Sequence, residues 1–172
     1  MRIHFKIQRA LYDAIHADLR RRHEFAEERL GFLLCRPALT ETGGLIVAYK
    51  FLSTPDDMYV PDGKFGCVFN SEAMRRAMQA ALSLNVSIFH VHVHEHVGEP
   101  WFSRTDLKES AEFVPNFWNV RPALPHGTLV FSLNRMAGLC WWPGHDHPQR
   151  FQKLSIIGSP IQITQEATWK AF

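Results

Sequence analysis

Hydrophobic and polar residues alternate along several short stretches of this chain and recur at helical spacing along others. Ile3, Phe5 and Ile7 alternate with polar neighbours and predict a short strand at a sheet edge. Over residues 8–22, Leu11, Ala14, Ile15 and Leu19 fall on one helical face, and an arginine run closes the segment as suits a helix C-terminus. The polar stretch 20–29 is expected to be a solvated helix tail. Beyond it, Leu30, Phe32 and Leu34 alternate with Gly31, Leu33 and Cys35, apolar on both faces, which predicts a largely buried strand. Residues 41–44 form a turn and 45–53 the return strand of a hairpin, followed by a proline- and aspartate-bearing loop over 54–66. Ser71 and Glu72 open a helix that puts Met74, Ala77, Met78, Ala81 and Leu82 on one face and ends near Asn85.

The next strand carries the chemistry. His90, His92, His94 and His96 stand at alternate positions with Val91 and Val93 between them, so valines face a core while imidazoles line the other side. Bunched imidazoles repel when charged and crowd polar nitrogens together when neutral, so such a row points to metal binding. A turn through Gly98 and Pro100 leads to Ser103 and Asp106, which also read as a helix N-cap with an acid at its third position. Two imidazole nitrogens and a carboxylate suit zinc, and three protein ligands leave a fourth position for water, the arrangement of a catalytic rather than a structural zinc. A short helix over 107–113 precedes an aromatic, proline-rich loop that runs to Gly127. Paired strands then follow over 128–134 and 137–142, and a final strand over 154–163 is kinked at Gly158 to Pro160. Residues 144–147 (Gly-His-Asp-His) are expected to be an exposed turn rather than a second metal site.

Composition narrows the reading. The chain has 172 residues, 46% hydrophobic and 21% charged, which is ordinary for one globular domain spanning residues 1–172. A formal net charge of +2 is no nucleic-acid footprint, so no nucleic-acid partner is expected. No apolar run near the N-terminus or elsewhere suits a signal peptide or membrane span. Three scattered cysteines without a CxxC pair read as reduced thiols of a cytoplasmic protein, none of them in an activating motif.

Glu28-x-x-Gly31-x-Leu33, the histidine strand and Ser103-x-x-Asp106 together resemble the signature of the JAMM (JAB/MPN) zinc metalloproteases. That resemblance implies an α/β, cytidine-deaminase-like fold: a curved mixed β-sheet flanked by helices. It implies a zinc isopeptidase or peptidase acting on a ubiquitin-like protein, with Glu28 as general base and Ser103 as oxyanion donor; a zinc hydrolase of a small amide or modified peptide, or a non-catalytic JAB-like scaffold, stays open as an alternative. The short chain is similar to bacterial members that work beside activating (E1-like) and conjugating (E2-like) proteins in antiphage systems. Familiar members leave seven residues between the second histidine and the serine, whereas here eight separate His94 from Ser103 and six separate His96 from it. Lengthening a turn by one residue is easier than shortening it, so the preferred ligands are His92, His94 and Asp106. The pair His94 and His96 stays open, and His90 with His92 ranks third. Extended tails commonly bind beside a sheet edge with side chains in pockets. His96, Trp101, Phe117 and Trp118 are therefore candidate substrate contacts, the last two from the loop 113–127.

Overall fold

The computed structural model describes residues 2–22, 28–61, 67–145 and 147–165. The alternating N-terminal residues form β1 (Arg2–Gln8), with Ile3, Phe5 and Ile7 buried and their neighbours exposed. It lies inside the sheet rather than at its edge, pairing in parallel with two later strands. Local alternation cannot distinguish those cases, because partners from distant sequence decide which edges are covered. Helix α1 (Arg9–Leu19) follows at once and buries Tyr12, Ile15 and Leu19.

Strands β2 (Leu30–Thr40) and β3 (Gly43–Ser53) make the expected hairpin, with a register shift between Leu34 and Cys35. Helix α2 (Ser71–Leu84) is capped by Asn70, one residue before the expected start. The Asn70 side chain accepts from the Glu72 and Ala73 N–H groups, and the helix closes on Asn85 in the left-handed conformation. Ala73, Ala77 and Ala81 are buried, small residues that allow close approach to the sheet, whereas Leu82, expected inward, is half exposed.

Strand β4 (Ser87–Val93) is buried at every position because β2 and β5 (His126–Phe131) flank it and helices cover both faces. Helix α3 (Arg104–Phe113) leaves the site, and 114–119 continue as a 3-10 segment rather than an open loop. The remaining strands are β6 (Met136–Trp141), β7 (Gln149–Arg150), β8 (Lys153–Ile157) and β9 (Gln162–Gln165). The expected kinked final strand is a full reversal: β8 and β9 pair antiparallel, with a cis Ser159–Pro160 bond between them.

The nine strands of the described residues join one curled, mixed sheet in the order β7-β6-β5-β4-β2-β3-β1-β8-β9. The class is therefore α/β. One core lies on the α1 face and includes Phe5, Ile15, Leu33, Phe89, Val91 and Phe131. The other lies on the α2 face and includes Phe32, Leu34, Ile88, Val114 and Phe117. β4 therefore turns Phe89, Val91 and Val93 into the first core and Ile88, His90 and His92 toward the second side. No helix among the described residues is long and apolar enough to cross a membrane.

Candidate metal centre

The antiparallel register between β2 and β4 sets Leu30 opposite His92 and Phe32 opposite His90. That pairing ends at Leu30 and His92, and Glu28 lies two residues before it on the chain that enters β2. Glu28 and the histidines are therefore neighbours in space despite their distance in sequence. Among the described residues, the ligand atoms of Glu28, His92 and His94 all lie within 4.8 Å of one another. Gly31 serves the pairing of β2 with β3 on the other side: a Cβ there would run into the Phe51 ring and sit 2.9 Å from the Leu52 carbonyl oxygen.

Asp106 approaches the same two imidazoles. Its Oδ1 lies 3.6 Å from His92 Nε2 and its Oδ2 3.7 Å from His94 Nε2, beyond hydrogen-bond length but close for opposite charges. A capping box holds it there. The Ser103 N–H donates to Asp106 Oδ2 at 2.7 Å, and the Asp106 N–H donates to Ser103 Oγ at 3.1 Å. The anion also sits in the first turn of α3, where the helix dipole favours negative charge. Burial works against the Asp106 carboxylate, but His92 and Ser103 outweigh it and hold the group well below the usual carboxylate range.

His92 Nε2 and His94 Nε2 are 3.2 Å apart. Two neutral imidazoles cannot both present lone pairs across that distance without repulsion, so the spot calls for a proton or a cation between them. Burial, with His92 beside it, keeps His94 below its ordinary value and favours the neutral form that a metal needs. A tetrahedral zinc with bonds of about 2.0–2.2 Å would set its ligand atoms roughly 3.3–3.6 Å apart. The spacings of 3.2, 3.6 and 3.7 Å bracket that range, the last two taken from different oxygens of Asp106.

The ends of the histidine row behave differently. Burial pushes His90 down to about 3. Its ring lies among Phe32, Phe69 and Phe113, and its Nδ1 sits 3.4 Å from Thr128 Oγ1. His94 and His96 lie past the end of β4, where His94 N–H donates to the Phe131 carbonyl. His96 stacks on Trp101 at 4.5 Å between ring centroids, outside the cluster that meets Glu28.

Trp101 is half exposed and 6.1 Å from the His94 ring, so it stands at the mouth of the site. Phe117 does not: it is fully buried, edge-on to Phe32 and Phe113, and belongs to the core rather than to a substrate groove. Trp118 packs partly against the same core, with its indole N–H donating to the Leu124 carbonyl. The loop 113–127 is thus a packed cover over the α2-side core. The apolar surface beside the site comes instead from the turn that precedes α3. A cavity of about 210 Å³ lies there, with Trp101, Phe102, Leu107 and Met136 in its walls.

His145 and His147 are exposed in a turn through Gly144, and Asp146 between them lies outside the described residues. So do residues 23–27 of the polar stretch expected to be a solvated helix tail. The three cysteines are free, and burial raises the thiols of Cys35, Cys67 and Cys140, leaving no ready thiolate. No protein-family model matches the chain, and no curated protein matches it.

Proposed function

We propose that this chain is a zinc-dependent isopeptidase or peptidase of the JAMM (JAB/MPN) kind that cleaves after the C-terminal tail of a ubiquitin-like protein. The observation that carries the reading is the meeting of Glu28 and Asp106 at a pair of imidazole nitrogens 3.2 Å apart. The curled mixed sheet with helices on both faces is compatible with the JAB/MPN fold.

His92, His94 and Asp106 would hold the metal, and Glu28 would stand beside them without serving as a ligand. Zinc in that place supplies Lewis acidity and brings the pKa of water toward neutrality. Glu28 takes the proton of the attacking water and returns it to the leaving amine. The Ser103 oxygen accepts the Asp106 N–H, which leaves its own proton free to donate to the developing oxyanion. Loss of one such donor costs about 3 kcal/mol of barrier. The tail would cross Trp101 and place a side chain in the neighbouring cavity. Activity of this kind serves precursor processing or deconjugation, in company with E1- and E2-like proteins of an antiphage system.

The test is hydrolysis of a ubiquitin-like domain fused through its C-terminal tail to a reporter, followed by mass spectrometry of the cut site. Cleavage at the end of the tail, abolished by a chelator and restored by zinc, is the expected result. Retained cleavage after complete metal removal overturns the metal mechanism. Hydrolysis of small amides with no cleavage of any fusion overturns the substrate assignment.

A further inference from the structure

Tyr59 performs an unusual task at the start of β2. β3 ends at Ser53, opposite Gly31, so Leu30 has no strand partner on that side. The Tyr59 hydroxyl takes that place: it accepts from the Leu30 N–H at 3.0 Å and donates to the Leu30 carbonyl at 3.1 Å. Burial pushes the phenol up to about 12, so it keeps its proton and remains a donor. Tyr59 is itself held by a bridge to Phe69, just before the cap of α2.

Arg29 reinforces the same point from the other direction. It is 2% exposed, and an arginine is buried at considerable cost unless its donors are met. Its Nε donates to the Arg21 carbonyl at 2.8 Å and its Nη2 to the Arg22 carbonyl at 3.2 Å, beyond the end of α1. Its Nη1 lies 2.8 Å from Asp56 Oδ1, an ion pair without hydrogen-bond geometry, and the guanidinium sits over the Tyr59 ring. The tie lies between Glu28 and Leu30, where the chain brings the Glu28 carboxylate near His92 and His94.

We propose that Tyr59 and Arg29 are positioning residues, a clamp that fixes the start of β2 so that the Glu28 carboxylate stands beside His92 and His94. The clamp rests on the metal reading given above, and its test uses the metal directly. Cobalt(II) is substituted into the unmodified protein, Tyr59→Phe, Glu28→Gln and the remote core variant Ile156→Val. Visible spectra are recorded together with amide exchange at Leu30.

Tyr59→Phe keeps the ring and is expected to speed Leu30 exchange at least about tenfold. Its cobalt bands are expected to move in the same direction as those of Glu28→Gln, while Ile156→Val retains the parent spectrum. Asp56→Asn, a milder change at an exposed partner of Arg29, is expected to show a smaller shift of the same sign, and it carries the test if Tyr59→Phe fails to fold. A parent-like spectrum in Tyr59→Phe or, in its place, in Asp56→Asn overturns the clamp and leaves the metal reading intact. Unchanged Leu30 exchange in Tyr59→Phe does the same. Absence of cobalt uptake by the unmodified protein overturns both.

Discussion

His126 and His92 are both buried imidazoles on the same sheet, one on β5 and one on β4, yet their surroundings differ in kind. His126 Nδ1 accepts the Ile88 N–H at 3.0 Å, so its Nε2 carries the proton and donates to the Arg121 carbonyl at 3.0 Å. Both nitrogens are met, and the ring joins β4 to the cover over the core. His92 has an Nδ1 that is buried with no hydrogen-bond partner among the described residues, and an Nε2 directed at another imidazole and a carboxylate. A satisfied histidine stabilises the fold it sits in, whereas one left with converging, unmet polar atoms points to a ligand. Burial alone does not separate the two.

The largest effect that separates them is expected from His94→Ala. It should lower zinc affinity by at least about a hundredfold, read by metal analysis after dialysis, and abolish turnover. Zinc retained at full occupancy would break the contrast between the two histidine settings. Glu28→Gln comes next. Loss of a general base is expected to reduce kcat by roughly 10²–10⁴-fold while zinc content stays at the parent level. Zinc loss in step with activity would make Glu28 a ligand instead.

His126→Gln sharpens the other half of the comparison. Leaving a buried donor or acceptor unmet costs about 1–3 kcal/mol, so the melting temperature should fall while zinc content per folded molecule is unchanged. The variant should also alter the pH dependence of stability. His126 is held down to about 4, chiefly by burial, against an ordinary value of 6.5. Above pH 6.5 the imidazole is neutral in both states. As pH falls from 6.5 to about 4, the unfolded chain takes up a proton that the folded chain refuses, so stability drops across that window, by on the order of 3 kcal/mol in total. Denaturant titrations should show a shallower loss over that range in His126→Gln than in the parent.

The smallest effect is expected at the rim. Trp101→Ala should raise KM for a tail-fusion substrate several-fold with little change in melting temperature, because the side chain is half exposed. Truncating the fully buried Phe117 would instead cost about 3–5 kcal/mol of stability, which marks it as a core residue. Equal melting losses in the two variants would erase that distinction.

Much of this arrangement is legible in the residues alone. Period-two alternation in 87–93 gives a strand with valines on one face and histidines on the other, because a strand's side chains have no other choice. Ser103 and Asp106 announce a helix start, since orphaned N–H groups at that point demand acceptors. The aromatic loop misleads for an equally physical reason. Phe117 and Trp118 carry the same composition whether they line a groove or fill a core, and only contact with Phe32, Phe113 and Leu124 decides between them.

Local patterning thus determined the elements through β6, their order and the residue types able to hold a metal, because those follow from backbone geometry and side-chain chemistry within a few residues. Tertiary structure alone decided which of those residues meet. The pairing of β2 with β4 brings Glu28 to His92 and His94, the capping box aims Asp106 at two imidazoles, and β1 is drawn from an expected edge into the sheet interior. Pairings of that kind depend on contacts between segments far apart in sequence, whose relative placement is set by core packing on both faces of the sheet and leaves no trace in any single window of the chain.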